Sequence, residues 1–286
     1  MLTRARIRIA LVLLSLVSAF SATAAEDSKL LLATTTSVQD TGLLDVLLPV
    51  FRERTGIAVQ VVAVGSGAAL RMGAEGNADV LISHDPKGEQ ELVASGAALG
   101  RTPFMENYFV IAGPKEDPAK VAQAADPAAA FAAIAKAKAP YVSRGDDSGT
   151  HRKEKQLLAT AGLDAAKPWP GFASTGSGMG LTLQVAGERR AYVLSDIGTF
   201  LAYRERTGLV RLTKDAPALR NEYSVLRIDP KRFAGKIHGE AAQRFEAFLT
   251  EPETQRRIGE FGQNEFGAPL FNPLLPKPAA TSTPRK

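Results

Sequence analysis

The sequence contains no cysteine, and it has only three histidines and one tryptophan among its 286 residues. Without cysteine the protein forms no disulfide, and it cannot carry the lipidated cysteine that anchors bacterial lipoproteins. The histidines, His84, His151 and His238, are scattered and show no H-E-x-x-H spacing, so no metal-binding motif is present. We therefore predict neither a metal nor any other cofactor.

Long apolar runs are also missing, except near the start. There, three arginines precede the run from Ile9 to Phe20, and small residues follow at positions 22–24. This pattern is typical of a cleavable secretory signal peptide, because the run is too short to span a bilayer. We expect removal of residues 1–24 and export of the remainder as a periplasmic protein. Loss of three arginines lowers the formal charge from +5 to +2, which argues against a nucleic-acid partner.

In the remaining chain, short apolar runs alternate with amphipathic stretches, which favours an α/β fold of mainly parallel sheets flanked by helices. Strands are expected at 29–33, 57–64, 78–83, 108–113, 140–143, 191–195, 209–213 and 222–228. Helices are expected over 43–51, from Pro86, and over 127–138, 240–249 and 253–261. The tail at 271–286 is rich in proline, alanine and threonine, so we expect it to be disordered.

Four polar, glycine-rich segments precede predicted helices: TTTS (34–37), GSG (65–67), SRGDDSGT (143–150) and STGSGMG (174–180). Such junctions offer free backbone N–H groups, hydroxyls and the positive ends of helices, which is how proteins hold anions. A single junction of this kind is usually only a helix N-cap. Four of them together favour a small oxyanion held mostly by neutral donors.

The nine residues from Ser143 to His151 also allow other functions. A serine hydrolase could use Ser148, His151 and Asp147, but a helix starting near Gly149 would direct His151 along its own first turn, and no G-x-S-x-G elbow occurs. An exported serine hydrolase therefore stands as the alternative of another class. Asp146 and Asp147 are expected to cap the helix or to orient Arg144, and a carboxylate facing the ligand would favour protonated phosphate instead.

Over nearly its whole mature length the chain resembles the periplasmic tungstate-binding proteins of ABC importers, which are related to molybdate and sulfate binders. The segments that carry this resemblance are LLATTTSVQDTGLL, AVGSGAALRMGAEGNADVLISHDP, YVSRGDDSGTHRKE and GSGMGLTLQVAGERRAYVLSDIGTFLAYR. The resemblance implies a two-lobed type II periplasmic binding fold with a two-crossing hinge. The first lobe would comprise 25–103 and 207–270, the second 104–206, and the hinge would lie near PFMENYF and LAYRERTG.

The resemblance also implies a function without bond-making chemistry: a monomer that binds tungstate and delivers it to ABC permease subunits, with molybdate, sulfate or phosphate as alternative ligands. Arg144 would supply a forked, charge-assisted hydrogen-bond pair to the oxyanion. The sequence departs from many members at Ser177, where they have Gln, and at Ile197 and Phe200, where they have Arg and Tyr; Asp196 is expected in a cap or hinge role. The implied ligand-binding residues are Thr35, Ser37, Ser66, Gly67, Arg144, Thr150, Ser177, Gly178 and Met179.

Overall fold

The computed structural model describes residues 29–274, so the expected signal peptide and most of the expected tail lie outside the described residues. The strands are β1 (Lys29–Thr35), β2 (Ala58–Val64), β3 (Val80–Ser83), β4 (Thr102–Gly113), β5 (Tyr141–Ser143), β6 (Phe172–Ser174), β7 (Val193–Asp196), β8 (Val210–Arg211), β9 (Arg220–Arg227) and β10 (Asn272–Pro273). The helices are α1 (Thr36–Asp40), α2 (Leu43–Thr55), α3 (Ser66–Ala74), α4 (Pro86–Ala94), α5 (Pro127–Lys136), α6 (Gly149–Thr160), α7 (Met179–Glu188), α8 (Ile197–Thr207), α9 (Gly239–Thr250), α10 (Pro252–Glu260) and α11 (Gln263–Phe266).

The first lobe is built on a sheet with the strand order β10-β4-β9-β3-β1-β2. The strands β1, β2 and β3 are parallel, whereas β9, β4 and β10 join antiparallel. Side chains alternate between the two faces of a strand, and here both faces are buried. Leu32 and Ile82 pack into one apolar cluster with α2, α9 and α10, and Ala33 and Leu81 pack into another with α3 and α4.

The second lobe is built around the far half of β4, which pairs antiparallel with β7 and β8, while β5 and β6 pair parallel beside them. Its apolar core has two parts. One joins α5 and α6 through Phe131, Tyr141 and Leu157, and the other joins α7 and β7 through Met179 and Val193. The eight-stranded sheet is thus mixed, and the expectation of mainly parallel sheets holds only for β1–β3 and for the separate pair β5–β6.

The chain crosses between the lobes twice, first within the segment PFMENYF and then at a point after LAYRERTG. The strand β4 pairs with β9 as far as Tyr108 and with β7 from Phe109 onward, so its first half belongs to the first lobe. The return crossing comes just before Arg220, because β8 pairs with the end of β4 and Leu219 is buried in the second-lobe core. The strand pairing thus places the first crossing within the segment where a hinge was expected, whereas the return crossing follows β8 and not LAYRERTG.

The ordered chain also continues past the expected start of the tail. Phe271 is buried in the first-lobe core, and Asn272–Pro273 pairs with Glu106 and Met105 of β4. Edge pairing to β4 explains why a segment with proline can hold a strand position. Residues 271–274 are therefore part of the first lobe.

Candidate functional site

The four polar junctions lie at the carboxyl ends of strands, where open α/β sheets ordinarily bind ligands. In the first lobe, β1 leads into α1 and β2 leads into α3, and the two strands are parallel neighbours. In the second lobe, β5 leads into α6 and β6 leads into α7, again from parallel neighbours. The predicted segments are thus paired within each lobe.

Thr35 and Ser37 form the first-lobe end of the site, and both are buried. The Thr35 hydroxyl caps α1 by accepting a hydrogen bond from the Val38 N–H at 3.4 Å. The two hydroxyl oxygens are 3.1 Å apart, and that of Ser37 lies 3.4 Å from Nε2 of His84. Both hydroxyls therefore face one small polar space.

Ser66 and Gly149 bring the lobes into contact. The Gly149 N–H, at the start of α6, donates to the Ser66 hydroxyl at the start of α3 over 3.0 Å. A Cβ atom on Gly149 would lie 2.8 Å from Cε1 of His84 and 3.0 Å from Oγ of Ser66, so only glycine fits without displacement. Gly67 follows in α3, and the N-cap residue Gly65 provides no side chain to cap the N–H groups of Ser66 and Gly67.

Arg144 is the cation at the centre of the site, and its side chain is only 4% exposed. Its Nη2 and Nε donate to Oδ2 of Asp146 at 2.6 and 3.2 Å. Burial acts to raise the pKa of Asp146, but hydrogen bonds from Ser148 and the charge of Arg144 outweigh it and lower that pKa. Asp146 is therefore an ionised partner that orients Arg144.

The charge of Arg144 reaches carboxyl groups of both lobes. Burial raises the pKa of Asp40, at the end of α1, and that of Asp196, at the end of β7, while Arg144 opposes both shifts. Asp196 caps α8, because its Oδ1 accepts from the Thr199 N–H at 2.9 Å and its Oδ2 from the Thr199 hydroxyl at 2.8 Å. The expected cap role of Asp196 is confirmed.

Thr150 carries a hydroxyl group without a partner. Thr150 is 1% exposed, and its Oγ1 atom makes no hydrogen bond within the described part of the chain. Buried hydroxyls are nearly always paired, so this one calls for an acceptor. It lies in the first turn of α6, directly after the contact between Gly149 and Ser66.

The turn before α7 supplies backbone groups. Gly178 is the N-cap of α7 and provides no side-chain cap, and the Met179 side chain is fully buried in the core. The Ser177 hydroxyl donates to the Thr175 carbonyl at 3.2 Å, so it is engaged within its own turn. This turn is fixed to the Arg144 loop, because the Gly176 N–H donates to the Arg144 carbonyl at 2.8 Å.

His84 is the residue that sequence reasoning missed, since the scattered histidines were considered only as metal ligands and His84 was not included among the ligand-binding residues. It is 6% exposed, and its Nδ1 lies 2.8 Å from Oδ1 of Asn221. Burial lowers the pKa of His84 to about 4, and Arg144 adds to this shift, so the ring is neutral at neutral pH. The available signal was the position of SHDP, directly after the third parallel strand of the same sheet edge.

Arg152, on α6, is a second cation beside the site. It forms an ion pair with Asp85 of the first lobe and another with Asp147 of its own lobe, the latter at 3.1 Å. Its guanidinium lies over Gly67, since Nη2 is 2.8 Å from where a Cβ on that glycine would be. A cavity of about 880 Å³ opens next to it, between residues 84–91 of the first lobe and 147–156 of the second.

The serine hydrolase arrangement does not form. The Ser148 hydroxyl accepts from the backbone N–H of His151 at 3.3 Å and so caps α6, whereas Nδ1 of His151 accepts from the Asp147 N–H at 2.9 Å. The Asp147 side chain is 62% exposed and pairs with Arg152 and Lys155. No nucleophile and base are therefore in contact here.

Within residues 29–274 there is neither a helix that could span a membrane nor a cluster that could hold a metal ion. None of the helices there combines the length and apolar character that crossing a membrane requires. No group of three or more histidine, aspartate or glutamate side chains in this part of the chain could hold a metal ion.

Comparisons with known proteins place these features in context. A model described as the PBP superfamily domain matches residues 21–253. The tungstate-binding protein TupA of Peptoclostridium acidaminophilum is 42% identical over 250 residues, which are 87% of this chain and 86% of that protein. The solved tungstate-binding protein of Desulfovibrio alaskensis G20 is 37% identical with a TM-score of 0.76, covering 87% of this chain and 100% of that one. A structure described as the tungstate ABC transporter from Geobacter sulfurreducens is 40% identical with a TM-score of 0.74, and the match covers 82% of this chain and 98% of that one.

Proposed function

The chain belongs to the PBP superfamily and, within it, to the family of the tungstate-binding proteins that it matches; from this premise we propose that it binds a tetrahedral oxyanion, tungstate first. Like its relatives, it is a substrate-binding protein and not an enzyme. We further propose that it acts as a monomer in the periplasm after signal-peptide cleavage, without a lipid anchor, and delivers the anion to an ABC permease. The ligand set that we propose is the one that the resemblance implied, with His84 added beside Ser37.

The observation that carries this proposal is the unpartnered, buried hydroxyl of Thr150, which directly follows Gly149 at the contact of the two lobes. A tetrahedral dianion offers acceptor oxygens and no donor, so it would complete the hydrogen bonding of this group. The uncapped N-termini of α3 and α7 add backbone N–H donors from opposite lobes.

The charges of the site favour a fully deprotonated anion. A protonated oxyanion such as phosphate needs an acceptor, but Asp146 is engaged by Arg144 and by the Ser148 N–H at 3.2 Å. Asp147 points to the surface, where it pairs with Lys155 at 2.9 Å. Arg144 remains the group that can pair with the ligand through a forked, charge-assisted contact.

Capture would work by closure of the lobes over the anion. Ser37 and Ser66 come from one lobe and Arg144 and Thr150 from the other, so an anion that contacts all four stabilises the closed arrangement. Only contacts that the open state lacks can shift this equilibrium.

The test of the proposed function is isothermal titration of the ligand-stripped protein with tungstate, molybdate, sulfate and phosphate. We expect one-to-one binding in which tungstate far exceeds sulfate and phosphate, and the ratio of tungstate to molybdate decides between those two ligands. Absence of binding by all four anions would overturn the proposal.

A variant of Thr150 tests the central observation. Thr150→Val should weaken tungstate binding by roughly 1.5–3 kcal/mol, about 10- to 150-fold, since one hydrogen bond to a charged ligand is lost. Because the hydroxyl is unpaired without ligand, the melting temperature of the free protein should stay equal or rise. The matched control is Thr160→Val at the other end of α6, whose hydroxyl bonds the Gln156 carbonyl, and this variant should keep wild-type affinity.

A further inference from the structure

Glu154 is a buried carboxyl group directly behind the candidate anion site, and it is 2% exposed. It lies one turn after Thr150 on α6, so the two side chains share a helix face with Cβ atoms about 5–6 Å apart. Its carboxyl oxygens accept hydrogen bonds from the Ser143 hydroxyl at 2.6 Å and from the Tyr141 hydroxyl at 2.7 Å. Glu154 therefore contacts the strand that leads into Arg144.

Ser143 connects this carboxyl to the binding loop. The Ser143 hydroxyl oxygen also accepts from the Gly145 N–H at 3.2 Å, in the turn that follows Arg144. Gly145 adopts a positive φ of 65°, which this tight turn requires and which glycine reaches without steric cost. The hydrogen bonding of Glu154 and the geometry of the Arg144 loop are thus linked through one hydroxyl.

The surroundings of Glu154 leave it close to a balance between its two protonation states. Burial raises the pKa of Glu154 to about 7, although the hydrogen bonds from Ser143 and Tyr141 lower it. Asp146 raises this pKa further and Lys155 lowers it. Helix α5 contributes only apolar side chains to the cluster beside it. The other titratable or charged groups on the elements around it are Arg144 at the end of β5, Asp147 in the following loop, His151, Arg152 and Lys153 on α6, and Asp196 at the end of β7.

We propose that Glu154 is a positioning residue of the anion site that takes up one proton when the dianion binds. The proposal rests on the proposed function, since it needs an anion beside Arg144 and Thr150. Two added negative charges would disfavour a carboxylate one helical turn away, so a proton moves from the solvent onto Glu154 and no other bond changes. The group keeps its hydrogen bonds to Ser143 and Tyr141 in either state, because each hydroxyl can donate or accept.

The sign of the pH dependence follows from this linkage. The pKa of Glu154 is about 7 without ligand and higher with it, so tungstate affinity is greatest below neutral pH and falls as pH rises above about 7. Burial lowers the pKa of His84 to about 4, so this ring stays neutral near neutral pH, and burial also lowers the pKa of His151. We assign the pH dependence near neutrality to Glu154, and a variant of Glu154 alone distinguishes the carboxyl group from both rings.

The test is titration of the protein with sodium tungstate near pH 7.5 in PIPES and in Tris, two buffers with different ionisation enthalpies. The difference in heat gives the number of protons bound, which we expect to be about 0.5 to 0.75, because Glu154 is already partly protonated at this pH without ligand. In Glu154→Gln the uptake should vanish and the affinity should become flat between about pH 6.5 and about pH 8.5. Tyr141→Phe removes a hydrogen bond that lowers the pKa, so the loss of affinity should move to higher pH.

Glu89→Gln is the matched control, because Glu89 is an equally buried carboxyl of the first lobe, and it should keep the wild-type proton uptake. Equal heats in the two buffers would overturn the role of Glu154 and leave the proposed function intact. Absence of any binding, with tungstate and with molybdate, would overturn both.

Discussion

Among single residues, Gly149 shows how closely the two lobes approach each other. Its N–H donates to Ser66, and its Cα faces the His84 ring, so a methyl group would enter the contact between the lobes. No positive φ is involved at Gly149, which means that the requirement for glycine comes from space and not from backbone conformation.

Gly149→Ala should therefore weaken anion binding while the fold persists. Overpacking of a tight contact costs about 1–3 kcal/mol, so we expect a tungstate affinity roughly 5- to 150-fold lower in titration. The control is Gly100→Ala, since a Cβ at Gly100 meets nothing within 4 Å and this variant should bind as wild type. Unchanged affinity in Gly149→Ala would show that the lobes do not close at this point.

At the scale of the elements, Ser148 is a helix cap. Its hydroxyl accepts from the His151 N–H in the first turn of α6, the helix that carries Thr150, Arg152 and Glu154. Ser148→Ala should lower the free energy of unfolding by about 1 kcal/mol, measured by chemical denaturation, and Ser148→Thr should restore most of it. Tungstate affinity should change by far less than in a variant of Thr150. A full loss of binding with unchanged stability would instead give Ser148 a direct role at the ligand.

The elements differ in how well the sequence predicted them. Strands β1, β2 and β3 were predicted because each is an apolar run between glycine-rich or charged segments. The first half of β4 was missed, since Glu106 and Asn107 interrupt its apolar pattern and its partner β9 lies more than a hundred residues away. The segment LAYRERTG, near which a hinge was expected, forms most of helix α8. Asp196 caps this helix, and Leu201 packs against the apolar clusters of both lobes. Local patterns identify elements, but pairing over such distances does not follow from them.

The site itself was only partly open to sequence reasoning. Hydroxyl and glycine junctions identify helix ends that can hold an anion, and the structure brings those of each lobe together. The role of His84 depends on its contact with Asn221, 137 residues away in the chain, and that of Arg152 on its pair with Asp85 across the cleft, 67 residues away. Such contacts form only once both lobes are folded.

For the whole molecule, the ion pair between Arg152 and Asp85 is the contact most directly placed to hold the closed state. It joins α6 of the second lobe to the N-cap of α4 in the first, beside Gly67. Since the Arg152 side chain is 35% exposed, solvent screens the pair, and we assign it only about 1 kcal/mol.

Loss of this pair should act mainly on release of the ligand. In Arg152→Gln the tungstate dissociation rate should rise about fivefold, with a smaller change in association, as measured by stopped-flow fluorescence of the single tryptophan, Trp169. Lys155→Gln removes an equal charge three residues further along α6. Among the described residues Lys155 forms an ion pair only within the second lobe, with Asp147 at 2.9 Å, so this variant controls for electrostatic attraction of the anion. If both variants slow association alike and leave dissociation unchanged, Arg152 attracts the anion by its charge and does not hold the lobes together.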